Sequence, residues 1–195
     1  MQRKQLKPSG GVQTLHMSID PGSYKMGVAF FDPDGKFICS TLLKAREKDP
    51  AARRLSTIRQ KFDAYFAETF GDAYITITVM EHLPPSQITP SLPISAGSIV
   101  SMHRNVSRLT PECAIGVGSW KSVAKQLGCT MRDPKGLPAF NQIPWEFQKP
   151  GCEDEADAVF IYLAYSWNHH GFAWLGPNLK VKKVATIPTM KEKKK

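Results

Sequence analysis

Three places in this sequence carry acids where acids are costly. The largely apolar run Leu15 to Ile19 ends in Asp20 and breaks at once into Pro21-Gly22-Ser23. The run "YITITVM" likewise ends in Glu81, and "EDEADA" sets Asp154 and Asp157 three residues apart, on one face of any helix they open. Taken singly, each has a plain structural explanation. Asp20 caps a turn, and acids in the first turn of a helix suit the positive end of its dipole. Taken together, acids ending two strands and a pair opening a helix could meet at one end of a sheet. Four carboxylates packed so closely repel and cannot all stay ionised without cations. The matching partner is a hard divalent ion held by oxygen ligands, Mg²⁺ or Mn²⁺. Two such ions, about 3.5–4 Å apart, serve phosphoryl transfer by stabilising the attacking and leaving oxygens.

The elements that must position these acids can be read from the pattern. Thr14 to Ile19, Gly27 to Phe31 ("GVAFF") and Phe37 to Leu43 read as three strands of an antiparallel meander. A connection over Pro21 to Met26 joins the first two, and the turn "DPDG" joins the second and third. In Ala51 to Phe70, apolar residues Leu55, Ile58, Phe62, Tyr65, Phe66 and Phe70 recur at helical steps, and Gly71 ends the run. Tyr74 to Met80 is a strand that delivers Glu81, followed by a proline-rich loop with Pro84, Pro85, Pro90 and Pro93. A helix is expected from Ser95 to Leu109, a short strand from Cys113 to Val117, and a short helix in "SWKSVAKQLG". Met131 to Cys152 shows no clean periodicity. The last firm element is a helix from Asp154 to Trp167, with weak strand character at Lys180 to Ile187. Strands followed by alternating helices and strands predict a mixed α/β sheet with helices on both faces.

Charge and composition narrow the partner. The chain has 195 residues, 42% hydrophobic, and a net charge of +9. It is long enough for one domain with a real core. The expected layout is a basic arm over 1–12, a single folded domain over 13–170 and a basic tail over 171–195. No apolar run of membrane-spanning length occurs, so a membrane partner is not expected. The positive excess favours a polyanion, nucleic acid first. Cys39, Cys113, Cys129 and Cys152 form no C-x-x-C pair and read as packing thiols in a reducing compartment.

The motif "SIDPGSYKMGVAFFD" resembles the first motif of the RuvC family of Holliday-junction resolvases, within the RNase H-like superfamily. "RRLSTIRQKFDAYFAETFGDAYITITVME" resembles that family's first helix and the strand with its second acid. "DEADAVFIYLAY" resembles its closing helix, in the pattern Asp-x-x-Asp-Ala followed by apolar residues. The resemblance covers residues 14 to 167, and the intervals between the acids are close to the family's. It implies an RNase H-like mixed five-stranded sheet, three antiparallel strands then parallel ones, with helices on both faces. It also implies a homodimeric, Mg²⁺-dependent endonuclease that acts on branched DNA in recombination and repair and nicks a four-way junction symmetrically. Two Mg²⁺ ions per site are implied, with Mn²⁺ able to substitute. Asp20 would bridge both ions, with Glu81 on one side and Asp154 and Asp157 on the other. Lys121, with Lys125 or Lys135, would contact phosphate as the family's lysines do. After the catalytic Glu the family commonly carries an aromatic wedge; here Glu81-His82-Leu83 leaves Leu83 as the apolar candidate. The implied location is the cytoplasm of a bacterium or a phage-infected host.

Other functions remain open on the sequence. A YqgF-like relative cuts forks or RNA with the same acids. A non-catalytic DNA-binding module could keep the fold. An actin/sugar-kinase fold shares the Asp-x-Gly loop of Asp20-Pro21-Gly22, but needs a second domain for which this length leaves no room.

Overall fold

A computed structural model describes residues 13–82, 92–103, 113–126 and 153–169. The chain runs β1 (Thr14–Asp20), β2 (Lys25–Phe31), β3 (Phe37–Lys44), α1 (Ala51–Phe70), β4 (Tyr74–His82), α2 (Leu92–Ser101), β5 (Ala114–Gly116), α3 (Val117–Gln126) and α4 (Glu153–His169). The five strands form one sheet in the order β3-β2-β1-β4-β5. β3, β2 and β1 are antiparallel neighbours, and β4 and β5 join in parallel. This is the mixed α/β sheet that the sequence predicts.

Alternation along the strands assigns the two faces. Leu15, Met17 and Ile19 of β1, with Met26, Val28 and Phe30 of β2, pack into one core with Ile58, Phe62, Phe66 and Phe70 of α1 and Ala96 and Val100 of α2. The four buried α1 residues recur every four positions, which lines them up on one face. Phe30 sits among the rings of Phe62, Tyr65, Phe66 and Phe70. Each fully buried aromatic of this kind contributes roughly 1.5–3 kcal/mol. On the other face, Ala29, Phe31 and Val79 meet α3 and α4. α4 is apolar almost all round because it lies between the sheet and α3.

Differences from the sequence reading are local. The first turn is shorter than expected, because Lys25 and Met26 already pair with β3. α2 begins at Leu92, ahead of the expected Ser95, with Pro93 inside its first turn. A proline there loses no helical hydrogen bond, so it marks a helix start as readily as a loop. α2 ends at Ser101, where Met102 and His103 form a turn, so it stops short of the expected end at Leu109. Residues 104–112 lie outside the described set. α3 opens directly after β5, at Val117. The arm over 1–12, the stretch 127–152 and the tail from 170 onward, including the strand expected at Lys180 to Ile187, also lie outside it. Among the described residues no helix is long and apolar enough to cross a membrane.

Candidate active site

Pleat parity decides which way the strand acids face. His16, Ser18 and Asp20 alternate with the buried Leu15, Met17 and Ile19, so they face α4 rather than α1. His16 Nδ1 and the Tyr162 hydroxyl are hydrogen-bonded at 2.6 Å, and Ser18 Oγ donates to the Ala158 carbonyl at 2.6 Å. Two strand residues span about 6.7 Å and four helix residues about 6 Å, so β1 and α4 stay nearly in step as they run in opposite directions. The next step of that ladder brings Asp20 to the first turn of α4, which carries Asp154. Ile19 pairs with Met80, so Asp20 and Glu81 extend adjacent strands side by side on the same face.

A glycine lets the helix come this close. Gly27 is the β2 partner of Asp20. A Cβ at Gly27 would overlap the backbone carbonyl of Asp154. The start of α4 is further tied by Ser40 Oγ of β3, which donates to the Glu155 carboxylate. Gly22 has a similar role in the preceding turn, where a Cβ would overlap the Lys25 carbonyl.

The four acids act on one another electrically. The Asp20 carboxyl is pushed well above the usual carboxylate range, first by burial, then by the charges of Asp157, Glu81 and Asp154. Asp157 is pushed up to about 7, first by burial and then by Asp154 and Glu81, with Lys121 and Lys25 acting in the opposite direction. The shifts at Asp20 and Asp157 require that acids from β1, β4 and α4 share one neighbourhood.

Two partners were not foreseen from the sequence. Lys25 Nζ lies 2.8 Å from Asp154 Oδ2, with side chains 40% and 19% exposed. That hydrogen bond raises the Lys25 pKa. Trp120 Nε1–H donates to Glu81 Oε1 at 2.7 Å in a buried setting. The signal for Lys25 was its place in the motif beside Asp20, masked by reading the turn too long. Nothing local signals Trp120, which meets Glu81 only through the β4–β5 pairing and the immediate start of α3. Lys121 is exposed, with its ammonium 5.3 Å from the Trp120 ring centroid. Its charge already reaches Asp157. Lys125 lies on α3. Lys135 and Leu83 lie outside the described residues. His103 is buried against Phe62 and Phe66 of α1, with its Nε2 3.4 Å from Asp63 Oδ1.

The chemistry of the donor set fits a hard divalent cation: four carboxylates, an oxygen-only set, each buried or half-buried. Lys25 already places a positive nitrogen on one of them. Among the described residues no three acid, histidine or cysteine side chains are drawn close enough to cage an ion. Asp154 is turned toward Lys25, and Glu81 is held by the indole.

Two solved structures resemble this fold. A Thermus thermophilus RuvC structure aligns with a TM-score of 0.50 at 16% identity, covering 78% of this chain and 94% of that one. A structure of T. thermophilus RuvC in complex with Holliday junction substrate aligns with a TM-score of 0.51 at 15% identity, covering 80% and 97%. No family model matches the sequence, and no curated protein does. The chain therefore has a RuvC-like, RNase H-like fold, with the strand order and mixed pairing described above.

Proposed function

We propose that this chain is a divalent-metal-dependent endonuclease that resolves four-way DNA junctions by paired, symmetric nicks. One observation carries the reading: the charges of Glu81 on β4 and Asp154 on α4 both bear on Asp20 of β1 and Asp157 of α4, whose carboxyls are raised, at a single end of the sheet. Structural acids are seldom grouped so, because burying like charges together costs stability and returns nothing without a cation. The net charge of +9 supports a polyanionic substrate. The fold is one that T. thermophilus RuvC uses in complex with a Holliday junction.

In this reading Asp20, Glu81, Asp154 and Asp157 are the catalytic carboxylates and hold two Mg²⁺ ions, with Mn²⁺ able to substitute. The ions supply Lewis acidity and a nucleophilic water for in-line displacement at phosphorus. The chain's own residues do the positioning. Trp120 fixes one oxygen of Glu81 and leaves the other available. Lys121, Lys125 and Lys135 meet phosphate, and Leu83 is the apolar group beside the junction bases. Paired nicks call for two sites, hence a homodimer.

The test is a nicking assay on a synthetic mobile four-way junction with and without Mg²⁺, with forks and RNA run in parallel. The expected result is Mg²⁺-dependent paired cuts on the junction, lost in Asp20→Asn while junction binding persists. Nicking that survives Asp20→Asn would remove the site assignment. Cutting confined to forks or RNA would reassign the substrate, and binding without cutting of any substrate would make the chain a non-catalytic DNA-binding module.

A further inference from the structure

The acid cluster borders a corner of the sheet that the chemistry leaves unused. There β2 and β3 meet with Lys25 directly opposite Lys44. Like charges facing each other across two strands destabilise the pair. Lys25 turns its ammonium to Asp154, while Lys44 is exposed and has no carboxylate partner among the described residues. From α1, packed on the opposite face, Lys61 reaches round the strand end and donates to the Lys44 carbonyl at 2.6 Å. Lysines from both faces therefore gather at one strand end.

The chain beyond that end is basic and tied down. Ala45 N–H donates to the Tyr24 carbonyl at 2.7 Å, and Asp49 N–H closes a turn on the Arg46 carbonyl at 3.0 Å. The Arg54 guanidinium donates to the Glu47 carbonyl at 3.1 Å. Arg46 and Lys48 are thus exposed on an anchored loop. The acids present there are Glu47, which is exposed, and Asp49, which lies 3.8 Å from Arg53. The balance of the corner is positive, and its inner end touches the carboxylate cluster through Lys25.

We propose that Lys44, Arg46, Lys48 and Lys61 form a track for the phosphate backbone of the double-stranded DNA arm that leaves the cleavage site past Lys25. The inference rests on the nuclease reading for the identity of the polyanion as DNA. A phosphate strand lying along the corner relieves the opposed lysines and releases counterions in proportion to the contacts made. The track fixes where the arm lies and reads no base.

The test uses the full chain, a labelled four-way junction and a matching linear duplex in divalent-free buffer, with affinity measured across a salt series. The triple variant Lys44→Gln/Arg46→Gln/Lys61→Gln is compared with Lys36→Gln, an exposed lysine in the turn at the opposite end of β2. The expected result is at least about tenfold weaker binding of both DNAs by the triple variant. Its log–log salt slope should be shallower by about 0.9 per lost phosphate contact. Lys36→Gln should bind as the parent does. Each single variant serves as a folding control, because each should show a proportionate part of the slope change at an unchanged melting temperature. An unchanged slope in the triple variant overturns the track, as does an equal loss in Lys36→Gln. The two readings fail separately. A parent that never nicks while the triple variant loses DNA binding defeats the nuclease and leaves the track. A parent that nicks while the triple variant binds normally does the reverse.

Discussion

The indole N–H of Trp120 reaches across from α3 and donates to the carboxylate of Glu81 at 2.7 Å, with both side chains buried. This bond fixes the orientation of an acid that otherwise stands at a strand end with freedom to rotate. Trp120→Phe keeps an aromatic ring and removes the donor together with part of the buried ring volume. It leaves a buried acceptor unpaired, at a cost of about 1–3 kcal/mol. Outer partners of metal-binding groups typically contribute about 10–100-fold to affinity or activity. The expected outcome is a nicking rate that needs more Mg²⁺ for half-saturation, with a matching shift in the Mg²⁺ dependence of the melting temperature. A variant that only loosened packing would lower the melting temperature and leave the Mg²⁺ midpoint where it was.

Lys25 is an internal counter-charge for Asp154. Lys25→Met keeps the stem and removes the charge. A pair of this exposure contributes about 0–1 kcal/mol, or about 2–4 °C at most in a chain of this size. The melting temperature without divalent ions should therefore fall slightly. The rise on adding Mg²⁺ should be larger than in the parent, because the ion then meets no competing ammonium. Thermal melting with graded Mg²⁺ reads both. An identical Mg²⁺ response in the two proteins would show that Lys25 and the ion do not compete.

The raised pKa of Asp157 has a definite sign for stability. Its folded value, about 7, lies above the ordinary value of 3.8. The folded chain therefore holds this proton where the unfolded chain has lost it. The stabilising contribution is complete below about pH 4 and is lost as pH rises to about 7. Without divalent ions, the melting temperature should fall across the upper part of this window. Asp157→Asn should flatten the fall, and Mg²⁺ should oppose it by compensating the ionised form. Melting curves in a constant-ionic-strength pH series would show this, and a parent and variant with parallel profiles would contradict it.

Gly27→Ala should damage the site more than the fold. The added Cβ meets the main-chain carbonyl of Asp154, which cannot move aside as a side chain can. Overpacking of this kind costs typically about 1–3 kcal/mol. The α1 side of the sheet is untouched, so the circular dichroism of the folded chain should persist. Nicking should drop by orders of magnitude, because Asp154 and Asp157 are displaced from Asp20. Near-parental nicking would mean that α4 tolerates a shift the packing forbids.

Much of the fold was legible in the sequence because its signals are local. Apolar runs broken by turn signals marked β1, β2 and β3, and four-residue spacing with Gly71 as the stop gave α1 its observed bounds. Acids at strand ends and at a helix start pointed to the cluster, which is where Asp20, Glu81 and the α4 pair are found to couple. What escaped was non-local. His16 with Tyr162, and Ser18 with Ala158, are separated by 146 and 140 residues, and neither residue type announces its partner. Nothing in the short helix "SWKSVAKQLG" marks the Trp120 N–H as a partner for Glu81 on β4. Gly27 opens the expected strand "GVAFF" with no local sign that it is the clearance that admits a helix backbone.

The seat of α4 on Gly27 has a temporal side. Lys25 and Asp154 lie 129 residues apart, and the acids of the first strands acquire their neighbours only when that late helix docks. Under the proposed nuclease reading, the four-acid assembly is therefore complete only with α4 docked, because Asp154 and Asp157 come from that helix.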